Sequence, residues 1–323
     1  LAVDNDEAGK KLEEELSRRI GREKCRVVQF PEGCKDANDV LVKHGKETLK
    51  RCIEDAQPYP IEGIYGLSDI SDRIEKLYDE GYQKGVSTGY ESLDEYYNVR
   101  TGELTVVTGI PSHGKSELID SLMMNIGKQE GWKFVIYSPE NQPLERHAAK
   151  LIEKYKGKSF NKDFYDCLSK EELLVSIELL QDFFHFILPK NDEEHQVDNI
   201  LELAKVLIFR KGIKGLLIDP WNELDHSRPS NLSETEYISQ CLSKIRRFAR
   251  LHDIHIWLIA HPTKLRKADN GNYPVPTPYD ISGSAHWRNK ADNCISVWRD
   301  LNNIESPVQI HVQKVRFKEI GQV

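Results

Sequence analysis

Residues able to do chemistry are densest in Gly109-Ile110-Pro111-Ser112-His113-Gly114-Lys115-Ser116, between the apolar run Leu104–Thr108 and a helical pattern. The spacing is G-x-x-x-x-G-K-[ST], a phosphate-binding loop in the strand-loop-helix setting that this motif requires. Backbone N–H groups at the positive end of a helix cradle phosphate oxygens. In such a loop Lys115 reaches the β- and γ-phosphates and the Ser116 hydroxyl ligates Mg²⁺. The expected ligand is ATP or another nucleoside triphosphate, with Mg²⁺.

Three further apolar runs end in polar groups. Gly215-Leu-Leu-Ile-Asp219 closes on a carboxylate suited to holding Mg²⁺, although an Asp before Pro220 is also a common turn residue. Phe134–Glu140 brings a carboxylate that either polarises the attacking water or is a solvated loop residue. Ile256–His261 brings an imidazole that either senses the γ-phosphate or is structural. A long loop follows, with Lys264, Arg266 and Lys267, then Gly283, Ser284 and Arg288. Loops of this length are usually functional or disordered. Clustered cations on Gly/Ser-rich backbone suit the phosphates of a single-stranded nucleic acid, the alternative being an ordinary solvated surface. Lys314-Val-Arg316 has no partner apparent in the chain and is either a solvated strand edge or a pair of cations serving a neighbouring subunit's phosphates. Asn289-Lys-Ala-Asp292 matches the N-K-x-D guanine-reading motif, but no buried strand precedes it. We read that match as coincidence.

These residues need a parallel sheet to bring them together. The predicted strands are Leu104–Thr108, Lys133–Ser138, Phe183–Leu188, Lys214–Asp219, His255–Ala260, Asn293–Trp298 and Val308–Val315, with helices between most of them. The last two leave no room for a helix, so an antiparallel addition is expected. Upstream, residues 1–58 alternate between strand (Leu1–Val3, Cys25–Phe30) and helix (Glu7–Ile20, Val40–Ala56), which predicts part of a parallel α/β unit. Gln57-Pro-Tyr-Pro60 reads as a boundary. Residues 59–84 form a linker whose helix, Ser68–Tyr82, carries Ile70, Ile74, Leu77 and Tyr78 on one stripe. Residues 85–323 form the nucleotide-binding domain. Both ends read as cut from a longer protein, so any targeting segment is expected to lie outside this chain.

The chain has 323 residues and a formal net charge of −7, which argues against an overall basic coat but allows a local basic channel. Its six cysteines include no C-x-x-C pair, so zinc and disulfide frameworks are not expected and reduced intracellular thiols are. No apolar run approaches the ~20 residues of a membrane span.

In their order, these segments resemble the ring-shaped replicative helicases of the DnaB type, most closely the phage primase–helicases and their organellar Twinkle relatives. Asp4-Asn-Asp6-Glu-Ala-Gly9 is similar to the D-x-D metal motif of a Toprim domain, and Cys34-Lys-Asp-Ala-Asn38 to a segment that follows it. Gly85–Asp94 resembles the entry to a helicase core. Ser138-Pro-Glu140, Ala260-His261 and Ile281-Ser-Gly-Ser284 complete the likeness. The resemblance implies a RecA-like core, a homo-oligomeric, hexameric ring, and 5′-to-3′ unwinding of forked DNA driven by nucleotide hydrolysis. It implies Glu140 as catalytic base, His261 as γ-phosphate sensor, and Lys314 with Arg316 as trans-acting fingers. Lys264, Arg266, Lys267, Gly283 and Ser284 become DNA-facing, with Arg288 beside them, and the linker helix packs on an adjacent subunit. A replicative polymerase and a single-strand-binding protein are the implied partners, in a phage or bacterial cytoplasm or an organelle. The Toprim motif's upstream catalytic Glu precedes this chain. Asp4 and Asp6 are therefore expected as a vestigial metal pair with an N-cap role open to them, and primer synthesis is not expected. The competing readings are a RecA/RadA-like recombinase and a single-strand-binding module that uses nucleotide only to assemble.

Overall fold

The computed structural model describes every residue except Glu62, 190–194, Ser227, Asp269, Asn270, Ser284 and Ile304. The expected DNA-facing residue Ser284 thus lies outside the described residues. The chain divides into two compact units, Leu1–Tyr82 and Gln83–Val323.

In the first unit, α1 (Glu7–Ile20) starts at Asp6, whose carboxylate accepts the Gly9 N–H at 2.8 Å, and ends at Gly21 after Arg18 and Arg19. An N-terminal carboxylate and C-terminal cations both complement the helix dipole. After it come β1 (Arg26–Val27), α2 (Ala37–His44), α3 (Lys46–Glu54), β2 (Gln57–Pro58) and α4 (Ser71–Glu80). The structure corrects the expected parallel α/β unit here. β1 is far shorter than Cys25–Phe30, and its partner is β2, antiparallel, formed by the segment read as a boundary. Leu1–Val3 is not a strand. Leu1 makes two backbone bonds astride Val27, at 2.5 and 2.9 Å, and the pairing goes no further. On α4, Ile74, Leu77 and Tyr78 stay exposed, so the apolar stripe is uncovered.

The second unit is built on seven strands, most of them apolar runs, paired into one sheet. It begins with a single turn, α5 (Glu91–Asp94), then β3 (Leu104–Thr108), α6 (Lys115–Glu130), β4 (Lys133–Tyr137), α7 (Leu144–Lys156), α8 (Lys170–Leu180) and β5 (Phe184–Phe186). It continues with α9 (Val197–Lys211), β6 (Ile213–Ile218), α10 (Glu234–Leu251), β7 (His255–Ile259), α11 (His286–Lys290), β8 (Asn293–Trp298) and β9 (Gln309–Val315). The strand order is β5-β4-β6-β7-β3-β8-β9, parallel throughout except that β9 runs antiparallel to β8.

Strands covered on both faces are near-continuous apolar runs, and alternation then sorts their residues between two cores. Leu104, Val106, Val135, Tyr137, Leu216, Ile218, Ile256 and Leu258 pack with α9 and α10. Val107, Phe134, Ile136, Leu217, Trp257 and Ile259 pack with α6 and α7. Gly215 leaves room for the rings of Phe134 and Trp257, which a Cβ would meet at 2.6 and 2.9 Å. Gly215→Ala should overpack this layer and destabilise the second unit by about 1–3 kcal/mol. A denaturant midpoint equal to that of the parent chain would contradict this packing.

Candidate active site

Because β4, β6, β7 and β3 are consecutive and parallel, the segments leaving their carboxyl ends stand side by side on one edge of the sheet. That edge is where open α/β sheets bind ligands. It receives the phosphate loop from β3, Ser138–Asn141 from β4, Asp219 from β6 and His261 from β7. Thr108 Oγ donates to the Ala260 carbonyl at 2.9 Å and ties the ends of β3 and β7 together.

Two glycines shape the loop. Gly109 has φ 155° and any Cβ there would strike the Val297 carbonyl; Gly114, with φ 97°, turns the chain into α6 in a left-handed conformation that favours Gly. Lys115 is buried, and its ammonium donates to the carbonyls of Gly109 at 2.9 Å and Ile110 at 3.1 Å. Burial pulls its pKa down to about 8, against the pull of Asp219 and Glu140. His113 Nδ1 accepts the Arg299 N–H at 3.0 Å, and the ring meets Trp298 edge-on, so the loop is pinned to the end of β8.

Asp219 is 1% exposed, and its weak partners are Ser138 Oγ and Asn141 Nδ2, each at 3.4 Å. Burial raises its pKa to about 6, opposed by the nearby Ser116 hydroxyl and the charge of Lys115. The two expected Mg²⁺ ligands, Ser116 and Asp219, are thus neighbours. A buried carboxylate with long, sparse donors and an adjacent hydroxyl fits a hard divalent cation that keeps part of its water shell.

Glu140 and His261 also come together, with Oε1 and Nε2 3.5 Å apart. His261 is held by its own N–H, which donates to Asn222 Oδ1 at 3.0 Å, and burial lowers its pKa so that the neutral ring is favoured. A neutral imidazole beside a half-exposed carboxylate can sense a phosphate or orient a water next to the base. Asn141, Asn222 and the buried pair His147–Asp120, at 3.1 Å, were not singled out from the sequence. Asn141 and Asn222 lie close after apolar strands and Asp120 one turn past Ser116, which is the signal they offered; His147, on α7, offered none.

Residues 85–323 match the DnaB-like helicase C terminal domain family. The chain belongs to the DnaB-like helicases. It is 45% identical over 341 residues to a chloroplastic/mitochondrial Twinkle homolog protein of Arabidopsis thaliana, covering all of this chain and 47% of that protein. It is 25% identical over 334 residues to the DNA helicase/primase of Enterobacteria phage T3, covering 98% of this chain and 56% of that one. The chain therefore spans about half the length of these curated relatives. A DnaB-like replicative helicase solved to show its interactions with primase shares the fold at a TM-score of 0.60 and 17% identity, over 95% of this chain and 71% of that structure. The RecA-like α/β core expected from the sequence is thereby established.

In this DnaB-like core the long loop after His261 is less free than its composition suggested. Its base closes where Pro262 pairs with Ile281 and Thr263 with Asp280. Trp298 Nε1 and Ser296 Oγ pin it again through the carbonyls of Tyr273 and Pro276. Lys264, Arg266 and Lys267 remain exposed, Lys267 over the Tyr273 ring. Gly283 is held at the start of α10 by Thr235, and the Arg288 guanidinium lies over Tyr279.

Lys314 and Arg316 require a correction, since both have partners within the chain. Lys314 Nζ donates to the carbonyls of Arg288 at 2.6 Å and Ala291 at 2.7 Å, and Arg316 Nε meets Asp292 at 2.9 Å. β9 turns back on β8, so its end returns to the residues that precede β8. Asp292, from the N-K-x-D match, is fully buried among arginines and cannot read a base. Far away in sequence, Lys35 Nζ lies 3.2 Å from Asp6 and 3.6 Å from Asp4, so an amine occupies the place between the two carboxylates. The capping bond of Gly9 and then Lys35 lower the Asp6 pKa.

The raised Asp219 pKa ties stability to pH. Folding lifts it from 3.8 to about 6, so the folded state binds the proton more tightly, and stability is lost as pH rises through that interval. Asp219→Asn should stabilise the nucleotide-free fold at neutral pH by on the order of 2 kcal/mol. It should also flatten the pH dependence and abolish the gain in melting temperature that Mg²⁺-nucleotide confers. A variant less stable than the parent at neutral pH would contradict the account.

Proposed function

We propose that this chain is the motor part of a replicative DNA helicase, which hydrolyses a nucleoside triphosphate with Mg²⁺ to move along single-stranded DNA and open a forked duplex. The observation that carries the reading is the shared carboxyl edge of β4, β6, β7 and β3, which collects Lys115, Ser116, Asp219, Glu140 and His261. In this reading Lys115 and the loop N–H groups hold the phosphates, Ser116 and Asp219 hold Mg²⁺, Glu140 polarises the attacking water and His261 reads the γ-phosphate. Lys264, Arg266, Lys267, Gly283 and Arg288 carry the DNA phosphates.

Lys314 and Arg316 are proposed to serve a neighbouring copy. Val315 pairs with Asn293, and Asn293 with Thr105, so Arg316 stands at the amino end of the sheet. The phosphate loop begins after Thr108, at the other end of β3 and ~13 Å away along the strand. A ring of identical copies in head-to-tail contact brings such opposite ends together. Residues 1–58 are proposed as Toprim-like, and 59–84 as the linker packing on the next copy. An organelle is the proposed setting, on the likeness to the chloroplastic/mitochondrial relative.

The test is steady-state hydrolysis with and without single-stranded DNA over a range of protein concentration. The expected outcome is a rate stimulated by DNA and rising more steeply than in proportion to concentration. Lys115→Ala should lower it by about 10²-fold or more. Hydrolysis indifferent to both DNA and concentration would sink the reading.

A further inference from the structure

Asp292 is a buried carboxylate that the nucleotide chemistry at the carboxyl edge does not use. Its Oδ1 meets Arg316 Nε at 2.9 Å and Arg246 Nη2 at 2.8 Å, with Arg250 Nη2 at 3.6 Å. Its Oδ2 accepts the Leu104 N–H at 3.1 Å, which fastens the carboxylate to the first residue of β3. The preceding carbonyl, Ala291, accepts from Lys314 Nζ at 2.7 Å and from Arg316 Nη2 at 3.2 Å. The dipeptide Ala291-Asp292 therefore cradles both basic residues at the end of β9.

Charge and geometry say what the cradle is for. Three guanidinium groups share one carboxylate, so the cluster carries surplus positive charge, as an anion-receiving surface requires. The Arg316 side chain keeps about a third of its surface exposed while its Nε and one Nη2 hydrogen are engaged. The planar fork is then fixed in orientation, and its exposed part can meet phosphate oxygens.

We propose that Asp292 is the positioning residue for Arg316, holding its guanidinium so that it meets the transferring phosphoryl group of an adjacent copy. The proposal rests on the trans-acting reading of Arg316 given above. Arg246 braces Asp292 from the other side, and the Leu104 bond ties its position to the strand that carries the phosphate loop. Without the carboxylate, Arg316 keeps its charge and loses its aim. A displacement of that kind costs on the order of 10²-fold in rate when the group acts on a developing charge.

The experiment measures hydrolysis by Asp292→Asn, Arg316→Ala and Lys115→Ala, each alone and in pairwise mixtures. Asp292→Asn alone should lose about 10²-fold in kcat with little change in KM. A 1:1 mixture with Lys115→Ala should regain activity that neither has alone, because a Lys115→Ala copy still presents a well-aimed Arg316 to the intact site of the Asp292→Asn copy. That recovery also shows that the Asn variant is folded. If Asn does not fold, Asp292→Glu replaces it, with a smaller loss and the same recovery expected. A wild-type rate for the Asp292 variants overturns the proposal. So does no recovery with Lys115→Ala under conditions where Arg316→Ala does recover. If Arg316→Ala itself does not recover with Lys115→Ala, the trans-acting reading fails and this proposal falls with it.

Discussion

Parallel pairing is the constraint from which the site follows. In a parallel ladder each strand leaves the sheet at the same edge, so whatever follows β4, β6, β7 and β3 must converge there. Tyr137 pairs with Ile218, Ile218 with Leu258 and Ile259 with Val107, which keeps the four carboxyl ends level to within about a residue. The residues just beyond them, Ser138, Asp219, Ala260 and Gly109, are therefore neighbours although more than a hundred positions separate the first and last in the sequence. The hydrophobic effect sets the same register from the other direction, because a one-residue slip would exchange the two cores.

The price of placing charge at such an edge is desolvation. Lys115 and Asp219 are both buried, and burial drives the first toward neutral amine and the second toward neutral acid. They lie close enough for each to relieve part of the other's burden, yet neither has a short partner of opposite charge. On the proposed reading, a triphosphate with its metal supplies both missing partners at once. The nucleotide-free protein is thus held in a state that its ligand improves, and binding energy is available for order in the surrounding loops. Asn141 belongs to this balance. It bonds Ser138 Oγ at 2.8 Å, reaches Asp219, and is itself gripped by Lys150 at 3.2 Å. The β4 segment that carries Glu140 is in this way linked to Asp219, the proposed metal-binding carboxylate.

Much of the core was legible in the sequence because its signals are local. The apolar runs that end in Thr108, Tyr137, Ile218 and Ile259 have the length and composition of doubly covered strands, and G-x-x-x-x-G-K-S names its own ligand. What was not legible depends on distant pairing. Leu1–Val3 and Cys25–Phe30 look like strands, but two-residue β1 finds an antiparallel partner in Gln57–Pro58, where prolines signalled a break. Lys314 and Arg316 looked unpartnered because their partners are carbonyls at residues 288 and 291 and one carboxylate at 292, and backbone acceptors leave no mark in a sequence. That Asn289-Lys-Ala-Asp292 is no guanine-reading motif was legible, but what Asp292 does instead was not, because its partners Arg246, Arg250 and Arg316 are brought to it only by folding. His113 is a further case, since nothing in the loop's spacing announces an imidazole turned toward the backbone of Arg299.

The antiparallel strand β9 gives the second unit two chemically different ends. Had β9 been parallel, Lys314 and Arg316 would have left the sheet at the nucleotide edge and crowded Lys115 with further cations. Reversal instead delivers them to the amino edge, beside Asp292 and the start of β3. One end then carries a buried lysine and two carboxylates, the proposed seats of phosphate and metal, and the other a cluster of arginines in excess of its anions. A molecule with such ends is self-complementary in the head-to-tail sense, which closes into a ring when successive rotations sum to a full turn. On the proposed reading, β3 links the two ends within each copy. Its first residue anchors Asp292 and its last leads into the phosphate loop, so the register of one strand fixes the separation between the site a copy owns and the cation it lends.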